Sequence, residues 1–313
     1  MEYIINEQLN GKTIKDILRY DIGLSMAFVK HLKFLDDGIL LNGEHATVRR
    51  IVHTGDVLSL ATEDNEFGEQ LTPTDIPLNI AFENELIIIP NKPPFMPTHP
   101  SHLHHGDTLA DALAFRCQAQ HVPFVFRPVN RLDRNTSGLT LIAKDRITAS
   151  HLSSAMREGK IKKQYLAVLC GELQENEGVI ETYLTRTEKS IIVRRVCSAE
   201  EGGDLAITHY KTLLRKNGHT LVLASPKTGR THQLRVHFAH IGHPIVGDDI
   251  YGTVDKKIDR HALHALKLSF PDPKNLSEYL LVSATLPKDM ENLITELFGN
   301  YSNDLFASDF GLN

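Results

Sequence analysis

Asp133 lies in the stretch "FRPVNRLDRNTSGLTLIAKD" (residues 126–145), two residues after Arg131 and directly before Arg134; the small polar residues Asn135, Thr136 and Ser137 follow, then Gly138 and an apolar run. A carboxylate can act as a nucleophile, take up a proton or add to an unsaturated ring. Each of these roles needs the ionised form. Burial can raise an aspartate pKa by about 3–5 units and a contacting cation can lower it by about 1–3, so a carboxylate working in a dry pocket needs a paired cation. Taken locally, Arg131 or Arg134 could be that cation, and the segment reads equally well as a surface ion-pair cluster at a turn. If the segment is extended, Arg131 and Asp133 point to the same side.

Further candidate groups are spread along the chain. Tyr165 follows Lys162 and Lys163 in "KKQYLAV". A phenol with its ordinary pKa near 10 is a weak base at neutral pH unless a cation or a carboxylate assists it. From Leu205 to Gly247 there is no Asp or Glu, while Lys211, Arg215, Lys216, Lys227, Arg230 and Arg235 occur with six histidines. Such a stretch suits a phosphate-bearing partner, although the chain as a whole carries a net charge of −5. Within it, "PKTGRTHQLRVH" lacks the GxxxxGK[ST] pattern of a nucleoside triphosphate site, and Gly229 suits a turn into a helix whose first amides face an anion. Structural roles and substrate contacts are both open for Thr231, His232 and Gln233. His237, His240 and His243 form HxxHxxH, but spacings of three drift around a helix, Gly242 and Pro244 end that helix, and no carboxylate completes a zinc pattern. No metal is expected.

The elements that must hold these groups can be read from periodicity. In the first 62 residues Ser25 can cap a short helix "MAFVKHLKFL", and "GILLNGEHATV" and "RRIVHTGDVLSL" read as strands turning at Asn42-Gly43 and Gly55-Asp56, giving a small helix and ribbon module. Residues 63–77 combine acids, Gly and Pro as a linker, residues 78–290 form the main domain, and 291–313 a C-terminal tail. The main domain carries helix patterns at "DTLADALAFRCQA", opened by Asp107 or Thr108, at "ITASHLSSAMREG" and at "GRTHQLRVHFAHIG", among strand runs that follow one another without intervening helices. That order predicts an α+β fold with a mixed, mostly antiparallel sheet. At 313 residues with 41% hydrophobic and 23% charged residues, the chain can bury a full core. Its three cysteines are far apart, and neither an export signal nor an apolar run of the roughly 20 residues a membrane helix needs is visible, so a cytoplasmic protein is expected.

The motifs "NRLDRNTSGLTLIAKD", "KKQYLAVLCG", "PKTGRTHQLRVHFAHIGHPIVGDDIYG" and "LHALKLSF", with weaker support from "IIIPNKPPFMPTHPS", resemble those of the RluA-like pseudouridine synthases, which isomerise uridine within structured RNA. The N-terminal module looks like the S4 RNA-binding domain many of them carry. The resemblance implies that Asp133 is the essential carboxylate, that Arg235 is its paired cation, and that Tyr165 packs on the target base and removes the proton from its carbon five. It implies that Arg131 enters the space left by a flipped-out nucleotide, and that Lys92, Lys227, Arg230 and His232 contact substrate. No metal or organic cofactor is implied, and a monomer acting on ribosomal or transfer RNA is expected. Many relatives have His before the RLD triplet where this chain has Asn130, which removes a chargeable group at that point. A non-catalytic RNA-binding assembly factor on the same fold is the alternative, and the intact Asp133, Tyr165 and Arg235 argue against it.

Overall fold

Asn42 and Gly43 both take left-handed backbone angles (φ 55° and 83°), as a two-residue hairpin requires, so the strands Ile39–Leu41 and Glu44–His45 fold back on each other. The Asn42 side chain accepts from the Val57 amide and donates to Asp56, each at 2.8 Å, which ties this hairpin to the strand Val57–Leu60. With Glu2–Ile4 these strands make a four-stranded sheet, backed by the helical segment Ile14–Asp21 and the helix Met26–Leu32. The module has its own core, in which Ile14, Ile17, Leu18, Leu32 and Leu58 are fully buried. Ile147, on the helix Arg146–Arg157, belongs to that same core, and His31 hydrogen-bonds Arg146, so the module is docked on this helix.

The computed structural model of the chain describes residues 2–24, 26–61, 71–188, 190 and 192–306. The expected cap Ser25, residues 62–70 at the expected linker and residues 307–313 of the expected tail lie outside the described residues. Residues 71–77 run without regular structure into the main domain.

The strand Lys162–Cys170 is central to the main sheet. Its run "QYLAVL" is buried on both faces, which is why it reads as continuous apolar sequence and not as an alternation. It pairs antiparallel with His219–Pro226 on one side and Leu263–Asp272 on the other; Asp204–Lys216 and Glu177–Arg186 extend the sheet outward. Ser137–Leu139, just after Asp133, lies parallel to Leu263–Asp272 and antiparallel to Ile87–Lys92. The sheet is therefore mixed and mostly antiparallel, in an α+β domain. Gly138 permits the parallel contact: a Cβ there would fall 2.3 Å from the Ala265 carbonyl oxygen, and the residue has φ 116°. Any side chain would push the segment carrying Asp133 off the sheet.

The helix Leu109–Ala119 opens at Thr108, whose hydroxyl forms a reciprocal cap with Asp111. The assignment of residues 291–313 to a tail needs correction. Lys288–Phe298 is a helix, and Met290, Leu293, Ile294 and Leu297 share its buried face, joined by Phe306 in the central core. Their spacing of three and four residues makes one apolar stripe, which cannot remain in solvent.

Candidate active site

The segment from Asn130 to Ser137 is held at nearly every residue. The Asn130 amide accepts from the Leu141 N–H at 2.7 Å and donates to the Leu139 carbonyl at 3.2 Å. An uncharged side chain that both donates and accepts satisfies this buried position. Thr98 Oγ1 donates to the Leu132 carbonyl (2.8 Å) and accepts from its amide (3.3 Å). Lys92 Nζ donates to the Arg134 carbonyl (3.2 Å), and the Arg260 guanidinium, anchored on Asp289, donates to that of Asn135 (3.1 Å). His261 Nε2 lies 2.7 Å from Thr136 Oγ1, and His264 Nδ1 lies 2.9 Å from Ser137 Oγ. Burial lowers both imidazole pKa values to about 3, so they act here as neutral hydrogen-bonding groups. Thr136 closes the turn by donating its amide to the Asp133 carbonyl.

The Asp133 carboxylate takes no part in this framework. Its side chain is 32% exposed, and His232 Nε2 lies 3.8 Å from it. His232 sits at the entry to the helix Gln233–His240 with a left-handed φ of 56°, an uncommon conformation for a residue with a side chain. Tyr251 holds it there, its hydroxyl 2.9 Å from His232 Nδ1. Burial lowers the His232 pKa while the Asp133 charge pulls the other way.

Tyr165 stands between two alanines in the sheet, Ala224 and Ala265, which leave its ring unobstructed by larger neighbours in register. Its hydroxyl pKa is pushed above the usual phenol range by burial, and the charge of Asp133 adds to this. The phenol is thus protonated at neutral pH, and among the described residues no cation lowers it.

Arg235 does not meet Asp133 in an ion pair. Its Nε and one terminal nitrogen donate to the two oxygens of Asp248, both at 2.7 Å, with Asp249 at 3.3 Å and the Tyr251 ring beneath the guanidinium at 5.2 Å. Asp248 is fully buried and takes the bidentate position because the turn at Gly247 brings it to the helix, while Asp133 acts on Arg235 through its charge alone. Asp248, Tyr251, Arg260 and His261 were not singled out from the sequence. The one usable signal was that Asp248 ends the acid-free stretch holding Arg235.

Lys92 also differs from expectation. It is 0% exposed and donates to the Pro93 and Met96 carbonyls as well as to that of Arg134, so it touches the Asp133 loop from within and offers nothing to a bound RNA. Burial, reinforced by the Arg260 charge, lowers its pKa to about 7. Lys92→Met should leave RNA affinity within about twofold and lower turnover by about 10²-fold, the cost of displacing a catalytic group by about 1 Å. Parallel losses in affinity and turnover would return Lys92 to substrate contact.

Arg131, Lys227 and Arg230 are exposed. Arg230 is tied back to the Leu205 carbonyl (3.1 Å) and Asp204 (3.5 Å). Gln233 has a structural task, accepting from Thr228 and the Arg230 amide and donating to Ile207 and Thr208. His237 is bridged by the Thr208 and Thr182 hydroxyls, and His243 faces the Cys170 carbonyl. These two histidines are occupied in holding the helix to the sheet.

The family model of RNA pseudouridylate synthases matches residues 86–240, which include Asp133, Tyr165 and Arg235. The uncharacterized RNA pseudouridine synthase YjbO of Bacillus subtilis is 36% identical over 274 residues, 88% of this chain and 95% of the relative. The chain belongs to the RNA pseudouridine synthases. Ribosomal large subunit pseudouridine synthase D of Haemophilus ducreyi is 32% identical over 86% of this chain and 85% of its own length. The human protein RNA pseudouridylate synthase domain containing 1 shares the fold at a TM-score of 0.57, with 28% identity, over 67% of this chain and 84% of that one. This synthase is therefore an isomerase that converts uridine in RNA to pseudouridine, and the RluA-like resemblance read from its motifs holds.

Proposed function

We propose that this enzyme modifies uridine in large-subunit ribosomal RNA, in the cytoplasm and as a monomer, with Asp133 as nucleophile. The observation that carries the mechanism is Asp133 itself: a partly exposed carboxylate on a loop pinned from both sides, with His232 beside it and its charge reaching Tyr165 and Arg235. The ribosomal substrate is supported by relatives named for the large ribosomal subunit. Mapping pseudouridine in ribosomal and transfer RNA, from cells with and without the gene, tests it. Loss of one or more large-subunit positions is the expected result; loss confined to transfer RNA would overturn the ribosomal assignment.

A uridine flipped from its stack at a cost of a few kcal/mol enters the site, and Arg131, exposed beside the loop, fills the gap it leaves. The bond from the sugar to N1 breaks, the ring turns, and C5 joins the sugar. C5 loses a proton and N1 gains one, so the products are isomeric and no cofactor is consumed. Asp133 attacks the sugar carbon in the first step and displaces N1; its bond to that carbon breaks as C5 takes its place, which regenerates the carboxylate. Arg235 and Asp248 fix the helix start that carries His232. The S4-like module adds a second RNA contact through the exposed Lys30, Lys33, Arg49 and Arg50.

Tyr165 packs on the base and shuttles the C5 proton. Because its phenol is held protonated, it serves as a relay, passing its own proton toward Asp133 as it accepts the one from carbon. Tyr165→Phe keeps the ring and removes the oxygen. Affinity should stay within a few-fold while turnover falls by about 10²–10⁴, the usual contribution of a positioned proton-transfer group. A Phe variant within about fivefold of wild type would leave the ring as packing and assign proton removal to Asp133 alone.

A further inference from the structure

A groove crosses the end of the sheet near Lys162, lined mostly, though not only, from the face turned away from Tyr165. Tyr165, Ala224, Tyr210 and Gly178 stand opposite one another across successive strands and so share a face, where Tyr210 meets Phe238 of the helix Gln233–His240. Residues one step along point the other way, and Gln164, Leu223, His209 and Lys211 are such residues. They line this groove of about 760 Å³, to which Lys162 and Lys227 contribute.

The groove's lining holds four lysines and a histidine against a single carboxylate, Glu177. On its floor Gln164 is 5% exposed, and its Oε1 has no hydrogen-bond partner. The cations are continuous with the active face. Lys163, adjacent to Lys162 and also part of the lining, reaches Gly229, where a Cβ would lie 3.5 Å from its ammonium nitrogen. Gly229 belongs to the turn that leads to His232 and Arg235. The acid-free stretch is thus divided, with Arg230 and Arg235 on the active side and His209, Lys211 and Lys227 around the sheet's end.

We propose that this groove is a further contact surface for the substrate RNA, apart from the active site and the N-terminal module, taking the phosphodiester backbone of a segment flanking the target uridine. The inference rests on the RNA-modifying reading of the front face and extends it. Ammonium groups that make no ion pair among the described residues match the repeating charge of a phosphodiester chain. Continuity with the active face lets one RNA reach both surfaces around the sheet's end.

The test uses the full chain and two RNAs carrying the same uridine: a minimal hairpin and a transcript of the surrounding ribosomal RNA domain. Lys211→Glu should weaken binding to the long transcript by about tenfold and lower the salt dependence of log affinity by about 0.9, one phosphate contact fewer. Adding Lys162→Glu should roughly double the change in slope. Hairpin affinity and turnover at saturating RNA should be unaffected by Lys211→Glu, and Lys211→Arg should behave as wild type. An unchanged slope on the long transcript, equal losses on both RNAs, or displacement by polyglutamate at concentrations where RNA does not compete would each overturn the groove as an RNA surface. Salt titration reports binding without turnover. If the wild-type enzyme makes no pseudouridine in the transcript, the ribosomal substrate fails while the slopes still decide the groove.

Discussion

Asp133→Asn should abolish pseudouridine formation, with turnover down by at least about 10⁴-fold, as expected when the nucleophile of a covalent mechanism is removed. Affinity for RNA should stay within a few-fold, since one carboxylate supplies no attraction to phosphate. The fold should be equally indifferent. The loop is fixed by Asn130, Thr98, Lys92, Arg260, His261 and His264, and none of their bonds runs through the Asp133 carboxylate. An unchanged melting temperature with lost turnover is therefore the signature of chemistry and not of disrupted structure. The measurement is single-turnover pseudouridine formation with purified protein at saturating RNA, alongside thermal melting. Slow but real turnover by the Asn variant, after contamination by host enzyme is excluded, would move the nucleophile elsewhere.

The second large effect is expected at Arg235, for a reason that local sequence did not offer. Burial alone would raise the Asp248 pKa; hydrogen bonds and charge from Arg235 outweigh it and keep the carboxylate ionised. Arg235→Met strands that buried charge and should cost about 3–5 kcal/mol of stability. Asp248 also accepts from the Ile250 and Tyr251 amides at 3.0 Å, so the partner change must keep an acceptor. In Arg235→Met/Asp248→Asn the charge is gone and the acceptor remains, and about half of the lost stability should return. Turnover should remain depressed by about 10²-fold or more in the double variant, because the positive field beside Asp133 is still missing. If turnover recovers together with stability, Arg235 contributes through folding only, and its assignment as the cation serving Asp133 is wrong.

The Asn42-Gly43 hairpin and a helix opening at Asp107 or Thr108, which the fold gives to Thr108, were legible from sequence because each depends on local rules: a turn that needs left-handed angles, and a side chain that can satisfy a free amide. The motifs around Asp133, Tyr165 and Arg235 were legible for a different reason, since their residue types, taken in order, match those of a known family. Pairing between them was not legible. Arg235 and Asp248 are 13 residues apart and meet because a turn at Gly247 folds under a helix, whereas Lys92 reaches the Arg134 carbonyl only after three strands align. A charged side chain in sequence has no fixed partner, because the strength of its contacts depends on burial and on which backbone oxygens lie within 3 Å or so. Chain order thus named the carboxylate, the phenol and the guanidinium. The fold alone turned Lys92 inward, gave Arg235 to Asp248, and carried Lys211 and Lys227 into a groove that Arg230 and Arg235 do not line, since neighbouring residues on a strand point in opposite directions and only the packed sheet determines which direction meets solvent.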